Sequence, residues 1–172
     1  MSRFDYVWLS TDAQISSLTE AYRRASLATK LLGTYDLGDD VTHLRGVLTP
    51  WMRIATVFVA EGALVIEGAS VSFAPKARLR FGWFTRRLRS DLSFRFSAPE
   101  LAGVEAANIP SPFARFFDIP FTRIRTIHPA PLDNLLLCAG GRISMPRIRE
   151  QSLLMREMLQ KMVVRSAEPT GS

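Results

Sequence analysis

Six cations lie within fourteen residues near the middle of the chain, and no acidic residue stands among them. They are Lys76, Arg78, Arg80, Arg86, Arg87 and Arg89. A guanidinium group presents several N–H donors in one plane, which suits bidentate binding of phosphate or carboxylate. The spacing K-x-R-x-R followed by R-R-x-R therefore predicts an anion-binding segment with these six residues as its candidate ligands.

The net charge of the whole protein comes from this part of the chain. Between Lys76 and Phe96 there are seven basic residues and one acidic residue, a net charge of 7 − 1 = +6, and the full sequence also carries +6. The remaining residues contain 15 bases and 15 acids. Such a local field attracts acidic partners, either nucleic acid or an anionic membrane, and does not choose between them.

The same segment alternates apolar and polar residues, which is typical of strands with one buried face. We expect two strands joined by an arginine-rich turn at Thr85–Ser90. The residues expected on the buried face are Leu79, Phe81 and Trp83 in the first strand and Leu92, Phe94 and Phe96 in the second. The alternative is that the arginines form only a solvated edge, which prevents pairing with other chains.

Residues with catalytic or metal-binding chemistry are sparse. The two histidines, His43 and His128, fall in separate loops, and the sequence has no nucleophile motif, phosphate loop or zinc spacing. The acidic run around Asp39-Asp40 lacks the full ligand pattern of a calcium loop. We therefore predict a binding protein that is not an enzyme and that uses no metal or cofactor.

The single cysteine, Cys138, lies in the apolar run L-L-L-C-A and is predicted to be buried. One cysteine cannot form an internal disulfide, which favours a reducing compartment. The sequence starts without the apolar core of a signal peptide, and its apolar runs are too short to span a bilayer. These features predict a cytoplasmic protein, and they allow peripheral attachment to a membrane.

The first 50 residues are predicted to be an N-terminal helix and a connector. Phe4, Tyr6 and Trp8 alternate as in a short strand, and T-D-A-Q from Thr11 fits a helix capping box. A helical pattern of apolar residues continues from there to a stop at Gly33. We expect residues 1–33 to be a layer that can be removed without unfolding the rest.

Residues 51–165 are predicted to be a β domain that ends in a helix. Glu61-Gly62 is expected to be a tight turn between two strands, and Gly68 a break within the second. The C-terminal helix is expected to run from a cap at Ser144 to about Val164, with a disordered tail over residues 166–172. The strands predicted outside the basic segment are Ala55–Ala60, Ala63–Glu67, Ala69–Ala74, Leu101–Ala106, Phe121–Ile127 and Asn134–Ala139.

This order of elements resembles the pleckstrin-homology-like (PH-like, GRAM-like) superfamily, in particular its small bacterial members. The resemblance lies in A-T-V-F-V-A-E-G-A-L-V-I-E-G, in F-D-I-P-F-T-R-I-R-T-I and in N-L-L-L-C-A-G-G, and it covers residues 53–165. It implies an α+β fold, in which a bent antiparallel β-sandwich or partly open barrel of about seven strands is capped by the C-terminal helix. The N-terminal helix would be an addition to that fold.

In lipid-binding members of the superfamily, basic residues near the first strands hold phosphorylated head groups, and Lys76, Arg78 and Arg80 are similar to such a cluster. The resemblance thus makes acidic lipid head groups the first candidate ligand. Single-stranded nucleic acid is the alternative, since arginines interleaved with aromatic rings supply both charge and stacking. A third alternative is a protein-interaction or homo-oligomerisation module that uses the N-terminal helix or exposed aromatic residues. Those aromatic residues are Phe84, Phe113, Phe116 and Phe117.

Overall fold

One antiparallel sheet of seven strands and a long C-terminal helix form the body of the protein. The computed structural model describes residues 1–24, 58–76, 78–81, 84–87, 89–107, 120–140 and 144–167. Within these ranges the sheet is curled into a half-barrel, and two further strands form a separate ribbon. The predicted α+β class and the barrel-like sheet with a C-terminal helix are confirmed.

The strands are β1 Ser2–Thr11, β2 Ala60–Glu67, β3 Ser70–Pro75, β4 Arg78–Phe81, β5 Phe84–Arg87, β6 Phe94–Ser97, β7 Leu101–Ala107, β8 Phe121–Thr126 and β9 Asn134–Ala139. In the described parts of the chain the helices are α1, Asp12–Arg24, and α2, Met145–Ala167, and a 3-10 turn, Ala98–Glu100, lies between β6 and β7. The strands predicted from Leu101, Phe121 and Asn134 each agree with the structure to within one residue.

The large sheet has the strand order β6-β3-β2-β1-β9-β8-β7. When the ribbon β4–β5 is set aside, β1, β2, β3 and β6 pair one after another, and so do β7, β8 and β9. The first and last strands, β1 and β9, pair with each other and join the two halves. The sheet is therefore an antiparallel meander whose two edges, β6 and β7, are consecutive in the chain.

Helix α2 packs on the inner face of this sheet. Ile148, Met155 and Leu159 are fully buried, and Met162 is 4 % exposed. Met158 and Val163 are half-buried against the same core, so one face of α2 is an apolar stripe. On the exposed side, Glu157 and Lys161 form an i,i+4 ion pair, with 2.6 Å between Oε1 and Nζ. Helix α2 continues through Ser166 and Ala167, which the sequence had assigned to the tail, and residues 168–172 lie outside the described residues.

Strand β1 lies in the centre of the sheet, between β2 and β9. Its register shifts between Phe4 and Val7, so Phe4 shares the inner core with Val7 and Leu9, while Trp8 lies on the outer face. Strand β1 is therefore part of the main sheet, whereas the sequence predicted that residues 1–33 form a separate layer. Alternation of three aromatic residues predicted a strand there, but it carried no information on which strands would flank it.

The turn between β2 and β3 lies at Gly68, where φ is +56°, a conformation that glycine adopts without a Cβ clash. Glu61 and Gly62, which the sequence predicted as a tight turn, lie inside β2 instead. The predicted break at Gly68 is in fact the reversal that makes β2 and β3 a hairpin. A glutamate followed by glycine looks like a turn in sequence, but here both residues continue the ladder with β1.

Helix α1 begins as predicted, after Thr11. The Thr11 hydroxyl accepts a hydrogen bond of 3.3 Å from the backbone N–H of Gln14, which caps the first turn. The structure describes this helix as far as Arg24, and the predicted stop at Gly33 lies outside the described residues.

Candidate anion-binding ribbon

Strands β4 and β5 pair only with each other among the described strands, and they form a two-stranded antiparallel ribbon. The prediction of an arginine-rich turn at Thr85–Ser90 is therefore wrong, because residues 84–87 form a strand that pairs with β4. The second predicted strand is β6, which pairs with β3 in the large sheet. Its predicted faces are confirmed, since Leu92, Phe94 and Phe96 are buried while Ser93 and Arg95 are exposed.

The ribbon places cations opposite each other across its ladder. Arg78 is the register partner of Arg87, and Leu79 is the partner of Arg86. Directly opposite residues share a face and residues two apart along a strand also share it, so positions 78, 80 and 87 occupy one face. Residues 77–88 contain four arginines and no acidic residue. Like charges directly opposite each other destabilise a strand pair, and a bound anion would relieve that repulsion.

Both ends of the ribbon are attached at the start of β2. The backbone N–H of Lys76, just before β4, donates a hydrogen bond of 2.6 Å to the carbonyl of Glu61. The backbone N–H of Arg89, just after β5, donates one of 2.9 Å to the carbonyl of Val59. Val59 is in turn bonded to β1, through its N–H and the carbonyl of Leu9 at 2.9 Å. Lys76 and Arg89, which flank the ribbon and form its root, are thus fixed to the central strands of the sheet.

The side chain of Lys76 is turned toward the sheet. Its Nζ lies 3.6 Å from Oε1 of Glu61 and 3.8 Å from the centroid of the Tyr6 ring. Glu61 is 6 % exposed, and its other oxygen accepts a hydrogen bond of 2.8 Å from the indole N–H of Trp8. The sequence alone did not predict this contact of Lys76, Glu61 and Trp8. An acidic residue within an apolar strand was the available signal, since a buried carboxylate requires donors around it.

Arg89 also has a carboxylate partner in its own turn. Its Nε lies 3.1 Å from Oδ1 of Asp91 and its second guanidinium nitrogen 2.5 Å from Oδ2. Hydrogen bonding from Arg89 lowers the pKa of Asp91. Of the six predicted anion ligands, Lys76 and Arg89 are therefore engaged with carboxylates at the root of the ribbon. The ribbon proper carries Arg78, Arg80, Arg86 and Arg87.

The side chains of those four arginines and of Phe84 lie outside the described residues, as do residues 113, 116 and 117 altogether. The backbone register places positions 78, 80 and 87 on one face of the ribbon and position 86 on the opposite face with Leu79.

A second polar cluster lies on the surface where β6 meets β7. Oε2 of Glu100 accepts hydrogen bonds from the N–H and hydroxyl of Ser97, at 2.7 and 2.5 Å. Its Oε1 lies 2.8 Å from Nε2 of His128, whose ring stacks on Phe96 at 4.8 Å between centroids. The carboxylate stands between the serine and the histidine, so the histidine cannot activate the hydroxyl as in a hydrolase triad. The cluster instead fastens the turn after β6 to the turn after β8.

The remaining candidates for chemistry do not form a site among the described residues. Cys138 is fully buried as predicted, and burial raises the pKa of its thiol, which makes it a poor nucleophile. No group of three or more His, Cys, Asp or Glu residues that could hold a metal ion occurs in the described ranges. His43, Asp36, Asp39 and Asp40 lie outside those ranges. None of the described helices is long and apolar enough to cross a membrane.

Comparison of the chain with protein-family models, with curated proteins and with solved structures finds no match.

Proposed function

We propose that this protein is a PH-like binding module without catalytic activity, and that its β4–β5 ribbon binds an anionic membrane surface. The observation that carries the proposal is the cross-strand pair of Arg78 and Arg87, in a ribbon without an acidic residue from position 77 to position 88. A ribbon that served only the fold would gain from opposite charges across its ladder. Two opposed arginines are instead suited to a phosphate group held between them.

The magnitude of the attraction is sufficient for reversible membrane binding. Each arginine close to an anionic leaflet contributes on the order of 1 kcal/mol, so four arginines contribute several kcal/mol before any apolar contact. The residues between Arg80 and Arg86 are F-G-W-F-T, positions 81–85, and three of the five are aromatic. Tryptophan and phenylalanine favour the membrane–water interface, where the ring is half-buried beside the head groups. Cationic positions flanking an aromatic centre thus fit a lipid surface.

The order of strands supports the PH-like part of the proposal. The seven sheet strands form a meander with first and last strands paired, and a helix follows the last strand and packs on the inner face. The ribbon is inserted between the third and fourth strands of that meander, β3 and β6. Its site would accordingly belong to this insertion and not to the first hairpin, where lipid-binding members of the superfamily carry their basic residues.

The test is sedimentation with vesicles of phosphatidylcholine that contain phosphatidylserine, at increasing salt. We expect binding by the parent protein that weakens as salt rises, because exposed charges are screened. Replacing Arg78, Arg80, Arg86 and Arg87 with Gln should reduce binding by at least about tenfold, since each charge contributes about 1 kcal/mol. A matched control replaces four exposed cations outside the ribbon, Arg95, Arg147, Arg149 and Lys161, with Gln and should bind within about threefold of the parent.

Two results would contradict the proposal. The first is equal loss of binding in the ribbon variant and the control, which would show a response to net charge alone. The second is parent protein that does not bind the vesicles. If that protein binds a single-stranded oligonucleotide instead, Phe84→Ala should weaken oligonucleotide binding by about 1–3 kcal/mol through lost base stacking, and the nucleic-acid function would replace the lipid function.

A further inference from the structure

We infer that Lys76 does not contact the bound anion and instead positions the ribbon, through an anchor that its ammonium forms with the buried Glu61 and Trp8. This inference rests on the proposed function of the ribbon and assigns one of its six cations a different role. Lys76 lies two residues before Arg78, at the point where the chain leaves β3 and enters β4. A side chain at that point controls how the root of the ribbon is held.

The anchor begins with the burial of Glu61, which is 6 % exposed in a central strand of the sheet. A carboxylate in that environment requires hydrogen bonds or an opposite charge. Trp8 supplies a hydrogen bond at 2.8 Å to one oxygen, and the Lys76 ammonium lies 3.6 Å from the other. The Lys76 ammonium is thus committed to compensating a buried charge, unlike a cation whose only neighbour is water.

Three contacts fix Lys76 to the sheet at the same place. Its backbone N–H bonds to the Glu61 carbonyl at 2.6 Å, its ammonium faces the Glu61 carboxylate, and the same ammonium lies 3.8 Å above the Tyr6 ring. The contact with Tyr6 adds a cation–π interaction to the ion pair. An anion that recruited Lys76 would have to break both side-chain contacts and leave Glu61 buried with the Trp8 donor alone.

Glu61→Gln separates the two roles because they predict changes of opposite sign. If Lys76 were an anion ligand, Glu61→Gln would release it, raise the net charge by one and strengthen binding to phosphatidylserine vesicles. If Lys76 positions the ribbon, Glu61→Gln loosens the root and weakens binding by about threefold or more, although the protein becomes more positive. The matched control is Asp5→Asn, which also adds one positive charge, at an exposed site on β1.

The second measurement is a double-mutant cycle of Tm with Lys76→Met and Glu61→Gln. It accounts for any loss of stability that the substitutions themselves cause. Lys76→Met keeps the aliphatic stem and removes the ammonium, and it should lower Tm by roughly 3–8 °C because a buried carboxylate loses its cation. In the Glu61→Gln background the same change should lower Tm by less than about half as much, because no charge remains to be compensated. Equal losses in both backgrounds would show that the pair is not coupled.

The rate of tryptic cleavage after Arg86 and Arg87, followed by mass spectrometry, measures how often the ribbon opens locally, and it requires no lipid. Cleavage in Glu61→Gln should be at least about threefold faster than in Asp5→Asn if the anchor fixes the ribbon, since local opening exposes the backbone. Equal cleavage rates, or stronger vesicle binding by Glu61→Gln, would overturn the inference. Parent protein that does not bind vesicles would refute the proposed function, and the cleavage and stability results would then decide on the anchor by themselves.

Discussion

The indole N–H of Trp8 donates a hydrogen bond of 2.8 Å to the carboxylate of Glu61, its direct register partner across the ladder of β1 and β2. Both side chains are buried, but neither belongs to the inner core that contains Met155 of helix α2. Trp8 also packs against Phe58, with 5.2 Å between ring centroids, and Phe58 stacks on Phe121 at 5.9 Å. The sheet therefore has a buried cluster on each face, and the outer cluster contains the charge that holds the root of the ribbon.

The position of the Trp8 ring depends on a glycine. A Cβ added to Gly140 would lie 2.5 Å from two carbons of the indole ring, so Gly140→Ala must displace the ring and disturb its bond to Glu61. We expect Gly140→Ala to lower the free energy of unfolding by about 1–3 kcal/mol. Gly103→Ala is the control, because a Cβ there meets nothing within 4 Å. Urea unfolding followed by circular dichroism measures both, and equal stability of the two variants would contradict the contact.

The docking of helix α2 can be tested by aspartate substitutions at three positions of the helix that differ in burial. Met155 is fully buried, Met158 is half-buried and Leu154 is 49 % exposed. Met155→Asp should cost more than about 3 kcal/mol of unfolding free energy, because the carboxylate finds no partner in the core. Leu154→Asp should change stability by less than about 0.5 kcal/mol. Met158→Asp should fall between them, and a different ranking would mean that the helix docks on another face.

Local patterns were sufficient to predict α2 and the strands of the second half of the chain. The sequence of α2 has a serine before its first residue, a proline in its first turn and apolar residues at helical spacing, and these three signals involve neighbours within four residues. The strands from Leu101, Phe121 and Asn134 are short, and each is bounded in the sequence by turns that contain proline or glycine. Such elements are predictable because their signals lie within the element.

The errors came from pairings between distant residues. Alternation in the basic segment was read correctly as β-structure, but it could not reveal that β5 would turn back on β4 and that β6 would pair with β3. Likewise Glu61-Gly62 resembled a turn, since nothing near it in sequence indicates that Trp8, 53 residues away, would satisfy its carboxylate. For the candidate site, the charge was visible in the sequence, whereas the division between ribbon cations and the Lys76 anchor required the structure.

The surface cluster around Glu100 gives a prediction for acid stability. Hydrogen bonds from the Ser97 hydroxyl and N–H, together with His128, lower the pKa of Glu100 in the folded protein. A carboxylate with a lowered folded pKa contributes stability that is present above its unfolded pKa and is lost as the pH falls through its folded pKa. Glu100→Gln should therefore have a lower Tm than the parent at neutral pH, and the difference should shrink as the pH falls below about 4.

Thermal unfolding at intervals from about pH 7 to about pH 3 measures this difference. The control is Glu67→Gln, which removes an exposed carboxylate outside this cluster. A Tm difference for Glu100→Gln that stays constant over the whole range would show that the effect comes from packing and not from the charge.

Deletion of the first strand tests the architecture most directly. Because β1 pairs with both β2 and β9, removing residues 1–11 deprives both neighbours of a ladder and takes Val7, Trp8 and Leu9 out of the two buried clusters. We expect the truncated protein to lose its cooperative thermal transition and the β signature of its circular dichroism spectrum, since unpaired backbone groups and exposed apolar surface would remain. Removal of residues 168–172, beyond the end of α2, is the matched truncation and should leave Tm within a few degrees of the parent. A residue 12–172 protein that unfolds cooperatively with a β spectrum would show that the sheet closes without β1, and it would restore the removable N-terminal layer that the sequence alone had predicted.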